Sequence, residues 1–180
     1  MIGPILERAG LSWSVYGFLA FMAPLPEGVI PRLSLPLQWL AAHVAAAGLA
    51  ALGIPFQRDG LLLHLEPVTL HIGEACNGVR FLLAMIVLAV AFAGAVLTRP
   101  WSRLVLLASG VALALASNQV RVTGTAVLAH VWGVEAATGW FHIAWGKVVY
   151  LAALVPFGGL ALHLRSRAER PRSAAAGQGE

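Results

Sequence analysis

Residues 79–97, VRFLLAMIVLAVAFAGAVL, form an apolar run interrupted by one charge, Arg80. A helix rises 1.5 Å per residue, so about 20 such residues cross a hydrocarbon core of about 30 Å. The run therefore reads as a membrane-spanning helix, and it sets the terms for the rest of the chain. Four more apolar segments accompany it. Residues 11–23 are short for a span, and they either cross the bilayer or lie in its interface. Residues 35–52 are longer, and residues 140–164 are long enough with Trp140, Trp145 and Tyr150 as interfacial aromatics. Residues 104–116 reach spanning length only if a polar extension to Arg121 is included. With 59% hydrophobic and 11% charged residues, the chain is too apolar for a soluble domain of 180 residues. The predicted fold class is an all-α polytopic membrane protein, a bundle of about five transmembrane helices.

The basic residues set the orientation. The net charge is +4, but the arginines form no patch interleaved with aromatics, which argues against nucleic acid as a partner. Arg165, Arg167, Arg170 and Arg172 follow the last apolar segment directly, and the connector TRPWSR carries Arg99 and Arg103. By the positive-inside rule both stretches are cytoplasmic. The helix that begins near Cys76 then runs inward, the next runs outward to Arg121, and the last runs inward from His142. Three polar positions far apart in sequence thereby converge on the outer face. The N-terminus lacks the clean small-residue cleavage site of a signal peptide. The tail RAERPRSAAAGQGE reads as disordered. The predicted organisation is a hydrophobic segment and connector at 1–34, a transmembrane core at 35–164 and a basic cytoplasmic tail at 165–180.

Between the second and third spans, Arg58-Asp59-Gly60 and Glu66-Pro67 carry turn chemistry. Val68, Leu70 and Ile72 alternate with Thr69, His71 and Gly73, the period of a half-buried strand. A short extracytoplasmic β-hairpin or flap is expected here, leading straight into Cys76.

Cys76 is the only cysteine, which excludes an intramolecular disulfide and a multi-cysteine zinc site. His43, His64, His71, His130 and His163 show no i, i+4 pairing and no acidic companion at ligand spacing, so neither metal nor cofactor is expected. A lone cysteine in a membrane helix is more often a small apolar filler than a nucleophile. Cys76, however, precedes a helix whose N-terminal amides favour a thiolate, with Arg80 one turn on along the same face. Asn118 and Arg121 are three apart and share a helical face. A guanidinium at the centre of a span costs about 2.5–3.5 kcal/mol to insert, although an arginine near a helix end also snorkels to headgroups. His142 stands near a helix start with Gly146 one turn below it, where a missing side chain allows close approach.

Taken in order, EACNG, NQVR and HIAWG resemble the exosortase/archaeosortase family of membrane transpeptidases. That family carries a Cys-Ser-Gly-like motif, an Asn-x-x-Arg motif and a His-x-x-x-Gly motif. Here they are Cys76-Asn77-Gly78, Asn118 to Arg121, and His142 to Gly146. The resemblance covers residues 35–164, including LGIPFQRDG upstream of the hairpin. Asn77 stands where serine is commoner, and the additional N-terminal spans of larger exosortases are missing, as in a compact subtype. The resemblance implies that Cys76 attacks a scissile carbonyl as thiolate, Arg121 stabilises the oxyanion, and His142 protonates the leaving amine and then deprotonates the incoming amine or water. Asn118 would orient Arg121, and Asn77, Gly78, Arg80, Glu74 and Gly146 are supporting positions. The implied partners are the lipid bilayer and substrate proteins ending in a sorting motif, a helix and a basic tail. The implied location is a prokaryotic cytoplasmic membrane with the site on its outer side, and the oligomeric state stays open. Two other readings of the same residues are a non-catalytic membrane subunit with a polar cavity and a plain hydrolase.

Overall fold

The computed structural model describes residues 28–66 and 68–176. Helix α1 spans Val29–Ala51, α2 Val79–Val96, α3 Pro100–Trp132, α4 Val134–Ala137 and α5 Gly139–Ala176. Three short strands lie between α1 and α2: β1 (Gln57–Asp59), β2 (Leu62–Leu65) and β3 (Val68–His71), followed by a 3-10 turn at Glu74–Cys76. The chain is thus a helical polytopic membrane protein. Four of its described helices are long and apolar enough to cross a bilayer. The first expected segment, residues 11–23, lies outside the described residues.

The expected hairpin is present as part of a three-stranded antiparallel sheet in the order β1-β2-β3, with Gln57 opposite His64 and Leu62 opposite His71. The sheet's first strand, QRD, is polar and exposed, so no alternation announces it. Two other expectations are corrected. Helix α3 does not end near Arg121 but continues to Trp132. At 33 residues it is about 50 Å long, well beyond the core thickness. The extension is held because Val122 and Ala126 are buried under the sheet. The tail, expected to lose structure from residue 165, continues as α5 to Ala176, its alanines and arginines being strong helix formers.

The chain divides into two compact units. In one, which holds residues 83–112 and 154–176, Met85, Ala89 and Ala93 recur every fourth residue as the buried stripe of α2, and Leu97 just past its end continues the spacing. Phe157 of α5 is buried there and meets Phe92 edge to face, with ring centroids 6.1 Å apart. Gly110 allows close helix contact: a Cβ there would stand 3.3 Å from the Ala89 methyl group.

The other unit, residues 28–82 and 113–153, carries the sheet. Leu63, Leu65 and Ile72 pack on Ala41, Ala42, Ala45 and Leu49 of α1 and on Val122 and Ala126 of α3. Small residues on α1 bring the backbones together, as in membrane helix pairs generally. At Gly48 a Cβ would stand 2.6 Å from the Thr123 methyl group. The end of α3 is tied to the sheet through His130, whose Nδ1 lies 2.8 Å from the Glu66 carbonyl oxygen.

Candidate active site

Cys76 ends the 3-10 turn rather than opening the helix itself. Two residues then redirect the chain. Asn77 accepts from the Val79 amide through Oδ1 (2.9 Å), capping the first turn of α2. It also donates through Nδ2 to Ser34 Oγ on α1 (2.8 Å), and Ser34 receives a second bond from Gln38 Nε2 (2.8 Å). Gly78 follows with φ +74°, a left-handed conformation that a side chain disfavours. The asparagine found where serine is commoner therefore both caps α2 and ties it to α1.

Asn118 is 1% exposed, and its Nδ2 donates to the Cys76 carbonyl oxygen (3.0 Å). This is a different task from the orienting of Arg121 that its spacing suggests. It positions the cysteine backbone, and its Oδ1 is buried without a hydrogen-bond partner.

Arg121 lies within α3 and is buried. Its Nη2 lies 3.0 Å from His142 Nε2, and its guanidinium carbon stands 5.3 Å from the centroid of the Phe81 ring. Phe81 in turn stacks on Tyr150, with centroids 5.3 Å apart. The arginine's own carbonyl accepts from Trp145 Nε1 (3.1 Å) and Thr125 Oγ1 (2.8 Å). Gly146 leaves the room this needs: a Cβ there would come within 3.2 Å of Arg121 Nε. The Arg121–His142 contact also fixes a tautomer. A guanidinium only donates, so Nε2 accepts, and a neutral His142 carries its proton on Nδ1. That Nδ1 is buried without a partner.

Cys76, Arg121 and His142 line one cavity of about 200 Å³. Its remaining walls are largely apolar: Leu63 and Leu70 from the sheet, Ile72 just after it, Val122 and Ala126 from α3, and Ala137. Burial raises the Cys76 thiol above its ordinary value, and the Arg121 charge and then a backbone bond from Gly73 lower it again in part. Burial therefore favours the thiol form. The thiolate expected from the helix start and a neighbouring cation is opposed by desolvation.

Arg80 and Glu74 are exposed and line a second cavity of about 370 Å³ that does not include Cys76. Arg121 and His142 line both cavities, and Lys147 and Tyr150 line only the second. Arg121, and not Arg80, is the cation that shares the Cys76 cavity. Among the described residues no three of His, Cys, Asp or Glu stand together as a metal site would require.

Sequence reasoning missed His71. It ends β3, is exposed, and lines the cavity that holds Cys76. The only available signal was its place five residues before the cysteine at the end of an alternating strand.

Comparison with known families matches the chain to the model for transmembrane exosortases, over residues 6–159. Neither a curated protein nor a solved structure gives a match.

Proposed function

The chain belongs to the transmembrane exosortases, a family of membrane peptidases and transpeptidases, and from that premise we propose that it cleaves C-terminal sorting signals of membrane-tethered proteins through a Cys76 thioester. The observation that carries this reading is the shared cavity. The Cys76 thiol, the Arg121 guanidinium and the His142 imidazole, drawn from a turn and two helices, line the same space, with His71 also in its wall. The chemistry such a set performs is acyl transfer.

Cys76 Sγ attacks the scissile carbonyl, and negative charge develops on its oxygen. Arg121 is the cation close enough to influence the sulfur, and it is the donor for that oxyanion. As the oxyanion draws the Arg121 N–H groups towards itself, His142 Nε2 loses its donor and gains a free lone pair. Collapse of the intermediate breaks the C–N bond, the leaving amine carries off the proton that the thiol gave up, and a thioester remains. His142 then takes the proton of the incoming amine or water and returns it to the departing sulfur. Substrates of this reading carry a motif, a helix and a basic tail, and lie beside the bundle in a prokaryotic cytoplasmic membrane. Arg165 and Arg167 argue for a cytoplasmic C-terminus, which puts the cleft on the outer side. Confinement of both substrates to one membrane raises their effective concentration without tight binding.

The test is Cys76→Ala expressed together with a native precursor that ends in such a tail. The expected result is accumulation of full-length precursor while the variant stays folded in the membrane. Normal processing would remove the catalytic reading. Mass spectrometry of the new C-terminus, as amide or free carboxylate, separates transfer from hydrolysis.

A further inference from the structure

We propose that His71, at the end of β3, is the group that takes the proton from Cys76 at the moment of attack. This rests on the reading of Cys76 as nucleophile and assigns the one proton that the geometry leaves without an acceptor.

The argument begins with valence. The thiol must lose a proton as its sulfur bonds to the carbonyl carbon. His142 is in the wrong form to receive it: Nε2 already accepts from Arg121, and in the neutral ring Nδ1 carries hydrogen. It is freed only after the oxyanion exists, which is after the thiol proton has gone. Arg121 has no acceptor to offer. Of the remaining cavity lining, Leu63, Leu70 and Ile72 are inert and Thr125 already donates to the Arg121 carbonyl. That leaves His71.

Its setting suits the task. Three other histidines are held by hydrogen bonds: His43 Nδ1 at Trp39 O (2.7 Å), His64 Nδ1 at Thr69 Oγ1 (3.1 Å) and His130 Nδ1 at Glu66 O (2.8 Å). The His71 ring makes no such bond among the described residues and faces the cavity at its exposed rim. Gly73 lies between the two residues and touches both. The His71 Nδ1 stands 3.5 Å from where a Gly73 Cβ would be, and the Gly73 carbonyl accepts from the Cys76 amide at 2.9 Å. A 200 Å³ cavity holds about six waters, so a single bridging water between ring and sulfur is accommodated.

The step balances without a further reagent. The Cys76 S–H proton passes to a His71 ring nitrogen, and the sulfur lone pair forms the S–C bond. When the C–N bond breaks, the imidazolium gives that proton to the leaving amine and His71 is restored. His142 then serves the second half of the reaction, so each histidine handles one amine.

The experiment uses the single cysteine as its own reporter. Purified protein in detergent or nanodiscs is alkylated with iodoacetamide across a pH series, as wild type, His71→Ala and, as control, His64→Asn. The expected result is alkylation slowed about tenfold in His71→Ala at neutral pH, converging on wild type at high pH where hydroxide removes the thiol proton. Added imidazole should restore the neutral-pH rate of His71→Ala, while His64→Asn behaves as wild type. A wild-type rate in His71→Ala, a deficit that persists at high pH, or no rescue by imidazole overturns the assignment. Precursor processing by Cys76→Ala is read in parallel. Processing that survives there removes the nucleophile and His71's role together. Processing lost there, with normal alkylation of His71→Ala, removes His71 alone.

Discussion

Gly78→Ala is the substitution on which the geometry of the site bears most directly. Two costs arise at once. The residue sits at φ +74°, where an L side chain costs about 1–2 kcal/mol. The new methyl would also stand 2.5 Å from Asn118 Cγ, 2.8 Å from its Nδ2 and 2.9 Å from its Cβ. All three are far inside contact distance, and Asn118 is 1% exposed with its amide bonded to the Cys76 carbonyl. It cannot swing aside without giving up that bond, worth about 1 kcal/mol, and overpacking of a tight interior adds about 1–3 kcal/mol. The sum is a destabilisation of about 3–6 kcal/mol. Because Asn118 positions the cysteine backbone, loss of precursor processing should accompany it. The assay is equilibrium unfolding in mixed micelles, run as a double-mutant cycle with Asn118→Ala. Removing the amide relieves most of the clash but leaves the backbone strain, so the double variant should be more stable than the sum of the two singles implies, by about 1–3 kcal/mol. A Gly78→Ala protein within about 1 kcal/mol of wild type, or strict additivity in the cycle, would refute the close packing described here.

Other expectations follow from the same contacts. Arg121→Lys keeps the charge but loses the planar fork that reaches His142, so precursor turnover should fall at least about a hundredfold, read by quantitative immunoblot, and turnover near wild type would show that the fork is dispensable. Burial raises the Cys76 thiol in the folded state, so it contributes stability that is complete below the ordinary thiol range and is lost as pH rises through the folded value. Its alkylation should therefore have a midpoint above that of the unfolded chain, and Arg121→Gln should move the midpoint higher still. A midpoint below the unfolded one would contradict the burial described. Asn77→Ser retains an oxygen that can cap α2 but is too short to keep the bond to Ser34, so unfolding should show a loss of about 1 kcal/mol, and in the Ser34→Ala background, where that bond is already absent, the same substitution should cost less.

What the sequence disclosed, and what it hid, follows from contrast. Cys76, Arg121 and His142 are legible because polar groups stand out against apolar spans, where each costs free energy to retain. The spans themselves are legible for the converse reason. Boundaries fared worse: α3 continues past Arg121 because Val122 and Ala126 are covered by the sheet, and no local pattern reveals a sheet lying over a helix. Asn118 was placed on the correct helix, but spacing alone could not tell that its amide holds the Cys76 carbonyl, 42 residues earlier in the chain. His71 was hidden most thoroughly. A histidine on the polar face of a short strand looks like any surface residue until the chain turns through Gly73 and brings Cys76 to the same cavity.

The surroundings of Arg121 show how such a site keeps a usable charge. Inserting a guanidinium into a span costs at most about 3 kcal/mol, the figure for its centre. The Phe81 ring face contributes about 1 kcal/mol through its quadrupole, and the charge-assisted bond to His142 about 2 kcal/mol, so the two together offset the insertion cost. Both of these partners are neutral. A carboxylate in their place would hold the arginine equally well but would cancel the field it casts into the cavity. An aromatic face and an imidazole lone pair position the charge and leave that field intact, and the Arg121 charge does act on the Cys76 thiol against the effect of burial. Gly146 completes the arrangement from the other side: a Cβ there would stand 3.2 Å from Arg121 Nε and press on the guanidinium stem. The fold thus holds a cation that is stabilised by its neighbours yet still available to an anion forming at the sulfur, which is the condition that electrostatic catalysis sets.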